Sequence, residues 1–295
     1  MYIGRFAPSP TGELHFGSLL AALASYLDAK SHQGLWLLRI DDLDPPREIP
    51  GASSKIIAKL ESFGLEWDGE IIYQSQRHHY YQHALDKLLT LGLIYRCNCS
   101  RKAIQARSGH SYYDGHCLNS KVTDKSCNYS WRFNTERKII CWTDDIQGQQ
   151  SLHYPQLADF IVKRSDHLWA YQLAVAVDDQ QMGITDIVRG NDLLAESAKQ
   201  LALITALKYN PVKYKHIPLA LNLLGQKLSK QNLAPALSSQ KISSSLFQAL
   251  CLLGQNPDKA LLHAEKSDIL KQAILNWNVK RIPLKYPDDS VSRYR

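Results

Sequence analysis

No apolar run in this 295-residue chain approaches the roughly 20 residues that a membrane-spanning helix needs, so a helical membrane protein is excluded. No signal-peptide pattern opens it either. Tyr2-Ile3 leads straight into a strand pattern, and a cytoplasmic protein is the expectation. Cysteines number six, at Cys97, Cys99, Cys117, Cys127, Cys141 and Cys251, too few and too unevenly spaced for a disulfide scaffold. That scarcity again fits a reducing compartment. There is no internal repeat and no basic low-complexity tail. No G-x-G-x-x-G follows the first strand, which disfavours a dinucleotide-binding dehydrogenase.

What the chain does have is a core's worth of hydrophobic residues, 44%, and a formal charge of +7 from 35 basic against 28 acidic residues. The excess permits a polyanionic partner such as nucleic acid, although solubility alone would also explain it. The first 70 residues read strand, loop, helix, strand, with "GLWLLRI" at 34–40 as a buried strand emptying into "DDLDPPR". Helical stripes follow in "SKIIAKLESFGL" and over about 76–91. This order predicts an α/β fold with a parallel, nucleotide-binding sheet. From about 95 to 150 the character changes to cysteines and short strands ("SWRFNT", "KIICWT"), as expected of an inserted subdomain. "WAYQLAVAVDD" reads as a buried strand, "GITDIVRGNDLL" leads into a helix, and "HIPLALNLLGQKLSKQN" gives a strand and a Gly/Lys loop. A catalytic domain over 1–233 and a helical domain over 234–295 follow, with the last dozen residues poorly structured. Cys141 and Cys251 sit in apolar patterns and read as core.

Two short stretches carry chemistry. In "RFAPSPTGELHFGSLLAALASYL", His15 lies just outside a helix whose stripe is Leu19, Leu20, Leu23, Tyr26 and Leu27, with Ser18 as the expected N-cap. Orphan amides and the helix dipole at such a point favour a phosphate, and Gly17 would let a nucleotide approach the backbone. Ordinary turn chemistry would also use these prolines and glycines. In "KLSK", Lys227 and Lys230 flank a serine after a strand and can neutralise a polyphosphate, although an isolated K-x-S-K is more often a solvated loop. Strand ends of a parallel sheet converge on one edge, so both stretches can reach one ligand.

With these residues in view, "HFGS" resembles the HIGH signature of class I aminoacyl-tRNA synthetases, and "KLSKQ" resembles their KMSKS loop. "RFAPSPTG" at 5–12, "RIDDLDPPR" at 39–47 and "IVRGNDLL" at 187–194 resemble the glutamyl-tRNA synthetase group. The chain ends about 65 residues after Lys230, leaving no room for that group's anticodon-binding region. Together with the "CNC…YYDGHC" insert, this is similar to the truncated paralogues that glutamylate the queuosine base of tRNA(Asp).

The resemblance implies a ligase that is expected to be a monomer. It would activate L-glutamate with ATP, accompanied by Mg²⁺ on the phosphates, and transfer the glutamyl group to queuosine at the wobble position of tRNA(Asp). It implies catalytic His15, Lys227 and Lys230, and ATP contacts from His15, Gly17, Ser18 and Lys230. Glutamate contacts would come from Arg5, Ser9, Asp41, Tyr171 and Arg189. For Arg189, an ion pair with Asp186 or Asp192 is the structural alternative. One departure is Arg39-Ile40-Asp41-Asp42, where the family usually reads R-I-E-D, a carboxylate on a shorter stem. A weaker hold on glutamate, with water bridging the gap, is the expected consequence. The resemblance further implies one structural zinc on Cys97, Cys99, Tyr113 and Cys117, with His110, His116 or Cys127 as replacements for the tyrosine. Alternatives to the leading function are glutamate adenylation with another acceptor, or a non-catalytic RNA-binding synthetase paralogue.

Overall fold

The structure, a computed structural model, describes residues 1–120, 128–219, 237 and 241–285. Its strands are β1 (Ile3–Phe6), β2 (Leu35–Ile40), β3 (Ile72–Tyr73), β4 (Ile94–Cys97), β5 (Ser130–Phe133), β6 (Ile140–Asp144), β7 (Gly148–Leu152), β8 (Phe160–Lys163), β9 (Asp186–Gly190) and β10 (Lys213–Ile217). Its α-helices are α1 (Phe16–Ser31), α2 (Ala52–Ser62), α3 (His78–Thr90), α4 (Arg101–Ser108), α5 (His116–Ser120), α6 (Tyr171–Gln181), α7 (Leu194–Leu207), α8 (Ile242–Leu252) and α9 (Lys266–Asn276).

Parallel pairing joins β1 to β2 and β2 to β3, and separately β10 to both β9 and β6. The amide of Thr185, just before β9, donates to the carbonyl of Ile3 at 2.9 Å and stitches the two groups together. The strands therefore run β3-β2-β1-β9-β10-β6-β7, and the chain's order reverses between β1 and β9. In an open parallel sheet that reversal opens a crevice beyond the carboxyl ends of the strands.

Alternation along these strands sorts the side chains into two layers. Phe6, Trp36, Leu38, Ile40, Val188 and Ile217 face α1 and share its core with Leu246, Leu250 and Ile269 of α8 and α9. Trp36 is wholly buried there, donates its indole N–H to Ser25 Oγ at 2.9 Å, and meets Tyr26 edge-on. The residues between, Arg5, Arg39, Arg189 and His216, are buried in the opposite layer beside α6 and α7. The three arginines and His216 thus collect on one face of the sheet, next to the crevice.

Three expectations need correction. "WAYQLAVAVDD" forms α6 rather than a strand. Its residues Leu173 to Asp179 are all buried, so no polar face marks the helical period, and a continuous apolar run does not separate strand from buried helix. Residues 140–152 do not stay with the cysteine-bearing insert. The β6–β7 hairpin extends the core sheet through β10, whereas β4, β5 and β8 form a separate antiparallel sheet. Cys141 is exposed, because alternation along β6 turns it outward, and Cys251 is only half-buried. The C-terminal stretch from 286 onward lies outside the described residues.

Candidate active site

The first turn of α1 supplies the helix mouth. The helix starts at Phe16, so the cap is His15 and not Ser18 as the sequence suggested. His15 Nδ1 accepts the Ser18 amide at 3.2 Å, filling the role a short hydroxyl usually takes. In neutral imidazole an accepting Nδ1 leaves the proton on Nε2, which lies 3.1 Å from Ser18 Oγ. The loop before it is tied down, with Pro8 O accepting from Asp41 N at 3.0 Å and Pro10 O from Ile49 N at 3.0 Å. The Ser9 carbonyl accepts the Thr11 amide at 2.8 Å within the same turn.

Beside the mouth lies a buried ionic lattice. Arg5 reaches Asp179 through Nε and Nη2, both at 3.2 Å. Arg39 joins Asp179 at 2.7 Å and Asp41 at 2.6 Å. Asp178 takes Arg77 at 2.6 Å, Tyr81 and Gln74 at 2.7 Å each, and stands 3.9 Å from Arg39. Three arginines face three aspartates, which is how so much charge stays buried. Burial pushes the Asp41 carboxyl up to about 6, with Arg39 opposing it and Asp178 adding to it. For Asp179 burial also acts upward, but Arg5 and Arg39 outweigh it and hold the carboxyl below its usual range.

Tyr171 opens α6 at the rim of this lattice. Its ring is partly exposed, while burial of the phenol raises its pKa in the field of Arg189, Asp41 and Arg5. Arg189 makes no ion pair with Asp186, which is taken by Lys215 at 2.8 Å. Instead its Nε donates to His216 Nε2 at 3.0 Å and its Nη2 to Ser197 Oγ at 2.9 Å. The buried Nη1 has no hydrogen-bond partner among the described residues. A guanidinium held along one edge and open at the other is suited to a carboxylate.

The insert gathers the predicted sulfur donors. The Sγ atoms of Cys97, Cys99 and Cys117 lie within 4.8 Å of one another, with Cys99 and Cys117 at 3.4 Å. The Tyr113 hydroxyl is 3.4 Å from Cys97 Sγ and accepts the Cys117 amide at 2.8 Å. A tetrahedral zinc site with bonds of ~2.3 Å would set sulfurs about 3.8 Å apart, so the donor set fits that ion with small adjustment. His116 is exposed and His110 Nδ1 accepts from Tyr112, so Tyr113 is the better-placed oxygen; Cys127 lies outside the described residues. Two cations attend the cluster. Arg107 Nη2 is 3.3 Å from Cys99 Sγ, and the Arg132 guanidinium sits 3.8 Å over the Tyr113 ring.

Lys227 and Lys230 lie outside the described residues. Leu237, seven positions after Lys230, is described: its amide donates to Leu14 O at 3.1 Å, next to His15. Sequence reasoning missed Asp144, Asp178, Asp179, Ser197, Tyr214 and His216. The paired aspartates inside the apolar "AVAVDD" were the available signal, since charges within a buried run need partners.

A parallel sheet with a helix mouth and buried arginines at its reversal point defines the catalytic domain of a class I aminoacyl-tRNA synthetase. The family described as "tRNA synthetases class I (E and Q), catalytic domain" matches residues 3–285. The chain is 49% identical over 278 residues to the glutamyl-Q tRNA(Asp) synthetase of Idiomarina loihiensis, covering 94% of this chain and 97% of that one. It is 46% identical to the Vibrio vulnificus protein of the same name, covering 96% and 91%. The chain belongs to the glutamyl-Q tRNA(Asp) synthetase family. Among solved structures, a glutamate tRNA ligase from Elizabethkingia meningosepticum aligns with a TM-score of 0.83 at 23% identity, covering 99% of this chain and 68% of that one, a likeness of fold. No helix among the described residues is long and apolar enough to cross a membrane.

Proposed function

We propose that this ligase activates L-glutamate with ATP and transfers the glutamyl group to the queuosine base at the wobble position of tRNA(Asp). The observation that carries the reading is Arg189, buried with its Nη1 unpaired among the described residues, in the polar layer that also holds Arg5 and Arg39. A glutamate carboxylate oxygen attacks the α-phosphorus, the bond to the bridging oxygen breaks, and pyrophosphate leaves. A hydroxyl of the queuosine cyclopentenediol then takes the glutamyl carbon, releasing AMP. Such displacement needs positioning and charge neutralisation more than covalent help. His15 Nε2–H and the Gly17 amide donate to the α-phosphate, with Ser18 Oγ beside them, while the Ser18 amide stays on His15 Nδ1. Gly17 and Ser18 belong to that turn. Lys230, supported by Lys227, balances the charge of the departing pyrophosphate. Mg²⁺ accompanies ATP through its phosphates and water.

Arg5, Arg189, Tyr171 and Ser9 form the glutamate pocket, with Asp41 facing the substrate ammonium. Zinc on Cys97, Cys99, Tyr113 and Cys117 stiffens the insert that meets RNA. The reading that goes with these residues is a monomer working in the cytoplasm.

The deciding experiment is glutamate-dependent ATP–pyrophosphate exchange, then glutamate transfer to tRNA(Asp) with and without queuosine. Wild type is expected to exchange, and Lys230→Ala to lose about a hundredfold, the scale of one removed transition-state donor. Transfer to queuosine-free tRNA(Asp) at the same rate would sink the acceptor assignment. Exchange absent even with tRNA present would favour a binding protein.

Asp41 gives a pH signature. Protonation through about 6 removes the acceptor for the ammonium, so the KM for glutamate is expected to climb as pH falls from 7 to 5. Asp41→Asn should show a high KM that is flat over that range. The stability effect has the opposite sign: a raised folded pKa stabilises fully below ~3.9, and that contribution is lost as pH rises through about 6. A wild-type KM independent of pH would remove Asp41 from the pocket.

A further inference from the structure

Arg189 has a neighbour whose chemistry the reaction does not call on. His216 is its register partner across the parallel β9–β10 pair and is wholly buried. Its Nε2 accepts the Arg189 Nε–H at 3.0 Å, and its Nδ1 stands 2.5 Å from Asp144 Oδ2. A guanidinium only donates, so Nε2 must carry a lone pair, and the proton of the neutral ring lies on Nδ1 toward Asp144. Burial disfavours the imidazolium, Asp144 favours it and Arg189 opposes it, and the sum holds His216 below its usual pKa.

We infer that Asp144 and His216 are positioning residues that lock the Arg189 guanidinium, through a set imidazole tautomer, with its Nη1 edge turned to the substrate carboxylate. The inference rests on the reading of Arg189 as the carboxylate anchor. What makes the lock specific is how Asp144 itself is held. Its Oδ1 accepts three backbone amides, Gln147 at 2.8 Å, Ile146 at 3.0 Å and His216 at 3.2 Å. Only Oδ2 is left for the ring. The carboxylate cannot rotate without orphaning those amides, so it offers His216 an acceptor and nothing else. Ser197 Oγ, 3.3 Å from His216 Nε2, accepts the neighbouring Nη2–H and so grips the same edge of the arginine. Tyr214, two residues before His216 on the same face of β10, stacks on its ring with centroids 5.8 Å apart and closes the floor beneath Arg189.

This arrangement predicts an unusual result for an isosteric change. In Asp144→Asn the amide oxygen must stay on the three backbone N–H groups, so the new NH₂ lands where Oδ2 was. It can only donate, which forces Nδ1 to accept and moves the ring proton to Nε2, directly against Arg189 Nε–H. Two donors then face each other, and the guanidinium must swing away. His216→Gln keeps an acceptor within reach of Arg189 and forgoes the Asp144 bond.

The test pairs kinetics with ¹⁵N NMR of the histidine rings in the full chain. For Asp144→Asn, the KM for glutamate in pyrophosphate exchange should rise about tenfold, with the KM for ATP and kcat within about twofold. The His216 ring signals should switch from the Nδ1–H to the Nε2–H tautomer at unchanged thermal stability within a few degrees. His216→Gln should keep a glutamate KM close to that of wild type. An unswitched tautomer, or a switch with no change in glutamate KM, would overturn the lock. Wild-type protein that gives no glutamate-dependent exchange would instead defeat the reading of Arg189, and the tautomer switch would still report on the Asp144–His216 geometry alone.

Discussion

Asp179→Ala is expected to lower unfolding stability at pH 7 by about 3–5 kcal/mol, the cost of removing one partner from a buried ion pair. Asp179 alone bridges Arg5 and Arg39, which are 4% and 0% exposed, so its loss leaves the lattice with three arginines against two aspartates. Desolvation of an uncompensated guanidinium has no local remedy, since Arg cannot shed its proton. Thermal or denaturant unfolding checks this, and a change below about 1 kcal/mol would show that the lattice is solvated rather than buried. The depressed pKa of Asp179 adds a pH sign. Its contribution is present above the ordinary carboxylate range and is lost as pH falls through the folded value, so wild type and variant should converge in acid. The double variant Arg5→Met, Asp179→Leu should recover part of the stability, because a buried pair exchanged for apolar groups of similar size is often neutral. That double variant should nevertheless lose glutamate-dependent exchange. Stability alone would not require the lattice to be ionic; the proposed substrate contacts of two of its members, Arg5 and Asp41, would.

The same lattice shows where the sequence was legible and where it was not. The β1–α1–β2 opening was readable because the stripe of α1 and the short apolar β2 are local patterns. So was the cluster of Cys97, Cys99 and Cys117, whose members lie within one small insert. The α6 helix was not, since it is buried on nearly every side and carries no stripe to set its period. Nor was the His15 cap, because imidazole is an uncommon N-cap and Ser18 is a common one. The partners of the site arginines were out of reach for another reason. Arg5 finds Asp179 across 174 positions and His216 finds Asp144 across 72, and such pairings follow from sheet order rather than local pattern. The β6–β7 hairpin illustrates the same point. Its sequence marks β6 as a strand, but only the pairing with β10 says which sheet it joins.

Stripping metal from the proposed zinc site is expected to unfold the insert and leave the parallel sheet standing. The insert's own core holds five buried residues, Cys97, Ile104, Tyr113, Cys117 and Ala158, and three of these are the proposed ligands themselves. Its helices α4 and α5 have eight and five residues, too short to persist without outside support. The Ser100 cap on Ala103 N and the left-handed Gly109 at the C-terminus of α4 contribute on the order of 1 kcal/mol each. A structural zinc would contribute on the order of 10 kcal/mol, so it would dominate the local balance. Three thiolates with a phenol oxygen leave no open position, which makes the ion a brace and not an activator of water. After chelation, trypsin should cut at Arg101, Lys102 and Arg107, and the amides of Ile104 and Cys117 should lose their exchange protection. Cys117→Ser should behave the same way with zinc present. The α1 core, built from β1, β2, α8 and α9, should keep its protection throughout. Pyrophosphate exchange without tRNA should then survive, because the helix mouth and both pocket arginines sit on the parallel sheet, while transfer to tRNA fails. Unchanged cleavage after chelation would remove the metal from the insert, and exchange lost together with transfer would mean that the insert braces the nucleotide site as well as the RNA face.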